Sequence, residues 1–243
     1  MKEYNGPYWR SNATILTTTQ LVDELFHYLS KWYLLKEDKM SQEDRYTTWN
    51  LPATGNELTN FIIQLPAPSY SHRAKNTCDL IMLMCAIFTE DNINMFIVFN
   101  IDESIVNSIE RMNAIQKVEI ASAILKQPKF KGTHVYKCLK EIVEWRNNYA
   151  HGKEMDMPKQ ETLKKTHIEH KPQKYPNLKD KIAKLIDIIN DTYSVSEYLS
   201  SISTHEYTSG KLTDLEQLHE NNKMIKKFYD KFIKNFKDID DLW

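Results

Sequence analysis

Glycine and proline are scarce, with 5 Gly and 8 Pro in 243 residues. Tight β-turns depend on those two residues for their special backbone angles, so a fold of many hairpins is excluded in favour of helices. Cysteine is scarcer still. Cys78, Cys85 and Cys138 form an odd set with no CxxC spacing, which suits neither a disulfide framework nor a zinc ribbon and points to a reducing cytosol. The opening, MKEYNGPYWRSNATIL, lacks the basic head and apolar run of a secretory signal. The densest apolar stretch, CDLIMLMCAIF from Cys78 to Phe88, is about half the length that a bilayer crossing needs, so it reads as a buried helix and no membrane association is expected. No internal repeat or low-complexity tract is present.

What is there is a soluble composition, with a mean hydropathy of -0.57 and a formal net charge of -1. That near-neutral total hides an uneven distribution. Residues 1–100 hold 8 basic and 11 acidic side chains, 101–125 hold 2 and 4, 126–175 hold 12 and 6, and 176–243 hold 10 and 12. The single net-positive block can attract a polyanion without making the rest of the molecule adhesive. A solvated lysine-rich loop produces the same count.

Apolar spacing of three and four residues predicts a helix from Leu21 to about Lys36, with Thr17, Thr18 or Thr19 as its N-cap. Ser41 with Asp44 reads as a capped turn, and Asn56 to Leu65 as a short helix before the breaker PAPSYS. Further helices are expected at about Arg73 to Phe88, through NINMFIVFN, and over Ser104 to Leu125 with a bend near Met112 and Asn113. Others follow at about Val135 to Ala150, Leu178 to Ser201 and Leu212 to Phe236, with a charged linker from Lys153 to Pro176. The fold class is all-α: a bundle of about five long helices plus short ones, as one domain over 1–243. Within it, 1–70 forms an N-terminal helical extension and 71–243 a core bundle.

The segment EIVEWRNNYAHGK ends an amphipathic helix by gathering Arg146, Asn147, Asn148 and His151 just before Gly152, which is placed to be a left-handed cap. Arg146 and His151 are five residues apart, roughly 140° around a regular helix. They face one point only if the helix stops between them and the glycine, or if a second copy brings its own pair. Such a pair suits cleavage of RNA by its own 2′-hydroxyl. Histidine titrates near neutrality and can move the proton. Arginine offers a permanently charged fork for phosphate oxygens, and Asn147 can bond phosphate or orient the histidine. The plain alternative is a helix terminus in which Arg146 pairs with Glu141 or Glu144 and complements the helix dipole.

WRNNYAHG resembles the R-N-x-x-A-H-G form of the R-x(4–6)-H motif of the HEPN superfamily. These are all-helical domains, many of them metal-independent endoribonucleases. The preceding SIERMNAIQKVEIASAILKQPKF and VYKCLKEIVE also resemble that family's order of helix, short connection and motif helix, so the resemblance covers about Ser104 to Lys153. It implies Arg146 and His151 as catalytic residues with Asn147 beside them, a homodimer with a composite RNA cleft, no cofactor and no metal. It also implies a toxin or antiviral defence role in the cytoplasm, with an antitoxin or sensor protein as candidate partner. One subgroup carries a tyrosine two residues after the histidine, the target of a nucleotidyltransferase antitoxin; Lys153 stands there, which argues against that partnership. The superfamily also includes non-catalytic members that serve dimerisation, partner binding or nucleotide binding.

Lys126, Lys129, Lys131, Lys137, Lys140 and Lys153 flank the motif as candidate RNA contacts, with Tyr149 as a candidate base-stacking ring. Solubility explains the lysines equally well, and packing explains Tyr149. His167 and His170 in HIEH lack further ligands, so a metal site is not expected. His134, at a helix start, is left outside the catalytic set.

Overall fold

A computed structural model of the chain describes residues 6–36, 46–51, 61–66, 70–127, 129–150, 177–204 and 209–234. The elements in order are α1 (Gly6–Lys36), β1 (Tyr46–Leu51), β2 (Phe61–Pro66), α2 (Tyr70–Asn100), α3 (Glu103–Ile109), α4 (Ala114–Ile124), α5 (His134–Ala150), α6 (Leu178–Ile202) and α7 (Ser209–Phe228). The last helix runs on into a π-helical turn, Tyr229–Ile233. The expected all-α bundle is there: among the described residues, five helices have 17 to 31 residues and two are shorter.

Three expectations need correction. Helix α1 begins at Gly6 rather than near Leu21, because the Thr18 hydroxyl donates back to the Thr14 carbonyl at 2.6 Å instead of capping a terminus. Of the helix expected from Asn56 to Leu65, the part from Phe61 on is strand β2, which pairs antiparallel with β1 from Tyr46 opposite Pro66 to Leu51 opposite Phe61, while Asn56 to Asn60 lie outside the described residues. YTTWNL and FIIQLP are rich in the aromatic and β-branched residues that pleated strands favour. The helix expected to about Phe236 is α-helical only to Phe228 and goes on as a π turn to Ile233, with Phe236 outside the described residues. The Ser41 to Asp44 turn lies outside the described residues.

NINMFIVFN is helical as expected and continues α2 without a break. That helix is long and apolar enough to cross a membrane by length and composition, but about two thirds of its most apolar stretch, 67%, is buried in the bundle. Ala74, Cys78, Ile81, Met82, Cys85, Ile93 and Phe96 are sealed against Val22, Leu25, Leu29 and Trp32 of α1 and Leu185, Ile189 and Leu199 of α6. Burying one such side chain is worth about 1.5–3 kcal/mol, and this shared core holds α1 to the other helices.

The bend expected near Met112 and Asn113 is a true break. Asn113 accepts from the Gln116 amide at 3.0 Å while the Gln116 side chain returns to the Asn113 amide, a reciprocal cap that starts α4. Helix α4 ends with Lys126 at φ 57, its amide bonded to the Ala123 carbonyl and that of Gln127 to the Ser122 carbonyl. This is the Schellman arrangement, with lysine where glycine is usual.

Polar side chains on α2 tie the neighbouring helices to it. Asp79 pairs with Lys181 of α6 at 2.6 Å, Glu90 with Arg146 of α5 at 2.5 Å, and Asn94 accepts from Lys117 of α4 at 2.7 Å. Residues 79, 90 and 94 fall on one side of the helix, since eleven residues make slightly more than three turns and four make slightly more than one.

Candidate functional site

Helix α5 presents the motif. Its start is fixed by Thr133, whose hydroxyl accepts from the Tyr136 amide at 3.1 Å and donates to the Phe130 carbonyl at 2.8 Å. Its inward face is Cys138, Leu139 and Ile142, all fully buried, with Val135, Val143 and Trp145 partly buried around them. This is the face read from the periodicity. Turning that face inward leaves Arg146, Asn147, Asn148 and Tyr149 along the last turn at the surface or half-buried.

Arg146 does not pair with Glu141 or Glu144, as the plain terminus reading expects. Glu141 bonds Lys184 of α6 at 2.7 Å and Glu144 bonds Lys140 at 3.5 Å. Arg146 instead sends Nη2 to Glu90 Oε2 and Nη1 to Asn147 Oδ1, the latter at 3.2 Å. Both side chains of the Arg146–Glu90 pair keep 38% of their surface exposed, so solvent and ligand reach them.

They form one wall of a cleft of about 100 Å³ between α2, the start of α4 and α5. Thr89, Glu90, Asn113, Arg146 and Asn147 are its polar lining, over an apolar floor that includes Ala86 and Ile142. Lys117 stands behind Glu90. Burial holds its ammonium below the usual lysine range, while Glu90 and Glu110 pull it back upward. The cleft thus combines one cation, one carboxylate, one hydroxyl and two side-chain amides, a polar set that fits an anion the size of one phosphate once the guanidinium is released to it.

The structure sorts the other candidates. Tyr149 stacks on Trp145 with ring centroids 5.1 Å apart, yet keeps 42% of its surface exposed. Burial, and secondarily Asp79, raise its phenol above the ordinary value. Lys126, Lys129, Lys131 and Lys137 are exposed, and Lys140 is exposed beside Glu144. The first three precede α5, and twelve residues of helix, about 18 Å, separate its start from Arg146. They are therefore not brought into the cleft. His151, Gly152, Lys153, His167 and His170 lie outside the described residues. His134 is exposed, with Nε2 3.5 Å from the Cys138 thiol.

Glu90 and Asn113 are the site residues that sequence reasoning missed. Glu90 is 56 positions from Arg146, too far for any local spacing to reveal. Its one signal is the acidic pair Glu90 and Asp91 between two dense apolar runs of α2. Among the described residues no cluster of three or more His, Cys, Asp or Glu side chains is placed to hold a metal ion.

No protein-family model, curated protein or solved structure matches this chain.

Proposed function

We propose that the chain is a HEPN-type, metal-independent endoribonuclease, acting as a cytoplasmic toxin or antiviral defence effector. The observation that carries this is the half-exposed Arg146, held beside Asn147 at the mouth of an anion-sized cleft, five residues before His151. In the reaction the 2′-hydroxyl oxygen attacks the adjacent phosphorus, its proton passes to a base, and the bond to the 5′-oxygen breaks as that oxygen takes up a proton. The products are a 2′,3′-cyclic phosphate and a free 5′-hydroxyl. His151 serves the proton transfers. Arg146 steadies the charge that builds on the phosphorane oxygens, and Asn147 fixes the plane of the guanidinium. A second copy of the motif across a dimer supplies a second histidine, so that one accepts and the other donates.

One observation favours a second reading, a non-catalytic module of the same type that binds nucleotide or a partner: Arg146 already has a carboxylate partner in Glu90.

Purified protein incubated with mixed RNA in EDTA separates the two. Wild type is expected to leave 2′,3′-cyclic phosphate ends, and Arg146→Ala and His151→Ala each to lose at least a hundredfold in rate while remaining folded by circular dichroism. Equal inactivity of all three folded proteins eliminates the nuclease in favour of the binding module.

A further inference from the structure

Glu90 is out of place in two respects. It is a half-exposed charged side chain in a largely buried stretch of helix, and it brings a negative charge into the cleft that the nuclease reading reserves for phosphate. Its surroundings explain it. The carboxylate accepts from Arg146 on one side and lies within electrostatic reach of the Lys117 ammonium on the other. Lys117 is itself fixed, donating to Asn94 at 2.7 Å. Arg146 of α5 pairs with the carboxylate directly, and the field of Lys117 on α4 adds to that pull, so a group of the protein's own occupies the guanidinium fork where a phosphate would bind.

We infer that Glu90 is a positioning residue that stands in for phosphate at Arg146: it holds the guanidinium at the cleft mouth until a phosphodiester displaces it, and so sets how tightly the cleft takes RNA. The inference rests on the proposed RNA-binding role of the cleft. Displacement is feasible because both partners are more than a third exposed, and ion pairs of that exposure are weak. A phosphate brings more acceptor oxygens to the guanidinium fork than one carboxylate oxygen does. The Asn147 bond keeps the guanidinium aimed during the exchange.

The test is binding of a 2′-O-methyl RNA oligonucleotide, followed by fluorescence anisotropy at low salt. The methyl group blocks the attacking hydroxyl, so affinity is read without cleavage. Glu90→Gln, which keeps shape and loses charge, is expected to tighten binding about fivefold, the upper worth of an exposed pair. Arg146→Gln is expected to weaken it about tenfold. The double variant should match Arg146→Gln, because the gain passes through the guanidinium. A purely structural role for Glu90 cannot produce tightening that disappears with Arg146.

Unchanged or weaker binding by Glu90→Gln overturns the inference, as does a gain that survives in the double variant, which would show only a general change of charge. Wild type that binds no RNA overturns it as well. Cleavage by the same proteins on unmodified RNA keeps the two proposals apart. Tightening without any cleavage leaves Glu90 as assigned and removes the nuclease; cleavage by wild type without tightening in Glu90→Gln removes only the assignment of Glu90.

Discussion

Lys126 occupies a conformation that glycine normally takes, at φ 57 after the end of α4. A side chain there meets the following carbonyl, at a cost of roughly 1–2 kcal/mol that glycine escapes, although glycine loses more freedom on folding. Lys126→Gly is therefore expected to raise stability by about 1 kcal/mol in urea denaturation. A loss of stability would mean that the lysine side chain makes a contact worth more than the strain. The same scale shows what the sequence could reveal about the site. Arg146 and Asn147 were legible because they sit together on one helical turn next to a recognisable string. Glu90 was not, since only the packing of α2 against α5 brings it to Arg146.

Between elements, α5 and α6 are joined by a polar seam in which position matters more than strength. Burial, and secondarily the nearby Asp191 carboxylate, push the Cys138 thiol up to about 12. Burial also raises Asp191 above the usual aspartate range; Cys138 and Lys184 oppose the rise, and Asp187 and Glu141 add to it. A carboxyl whose folded value is raised binds its proton better in the native state. Its contribution to stability is full below the unfolded value, about 3.9, and is lost as pH rises through the folded one. Stability is thus expected to decline from about pH 4 toward neutrality, and Asp191→Asn to flatten that decline. Urea midpoints collected across the range check this, and parallel curves for the two proteins would place the titration elsewhere. At this scale the amphipathic helices were easy to read, because a repeat of three and four survives in the letters. The start of α1 was hidden by a threonine that bonds backward along the helix rather than capping it, and β2 by a run too short to distinguish strand from helix.

Across the whole molecule, one apolar cluster draws on α1, α2, α4, α5, α6 and α7. All three thiols are free and buried in it, Cys78 and Cys85 from α2 and Cys138 from α5. Burial pushes Cys85 up to about 12 and Cys78 further still, so the reactive thiolate is nearly absent in the native state. A thiol reagent at mildly alkaline pH is expected to label none of them until the bundle unfolds, and then all three at a common rate. Early labelling of Cys138 alone would reveal that α5 opens by itself. The all-α class was legible at this scale from the scarcity of glycine and proline, whereas the cleft was not: it requires three helices to meet, and no single segment records where its neighbours will lie.

Helix α2 sets that meeting point by counting. Asp79, Glu90 and Asn94 stand on one side of it, each engaging a different helix, so α2 works as a ruler whose marks are residue intervals. A single residue gained or lost between Asp79 and Glu90 would turn the later marks by about 100° and separate Glu90 from Arg146 while every functional side chain remained in the sequence. What descendants of this chain must preserve in α2 is therefore a distance more than a spelling, and length change is tolerable only where no helix is keeping count.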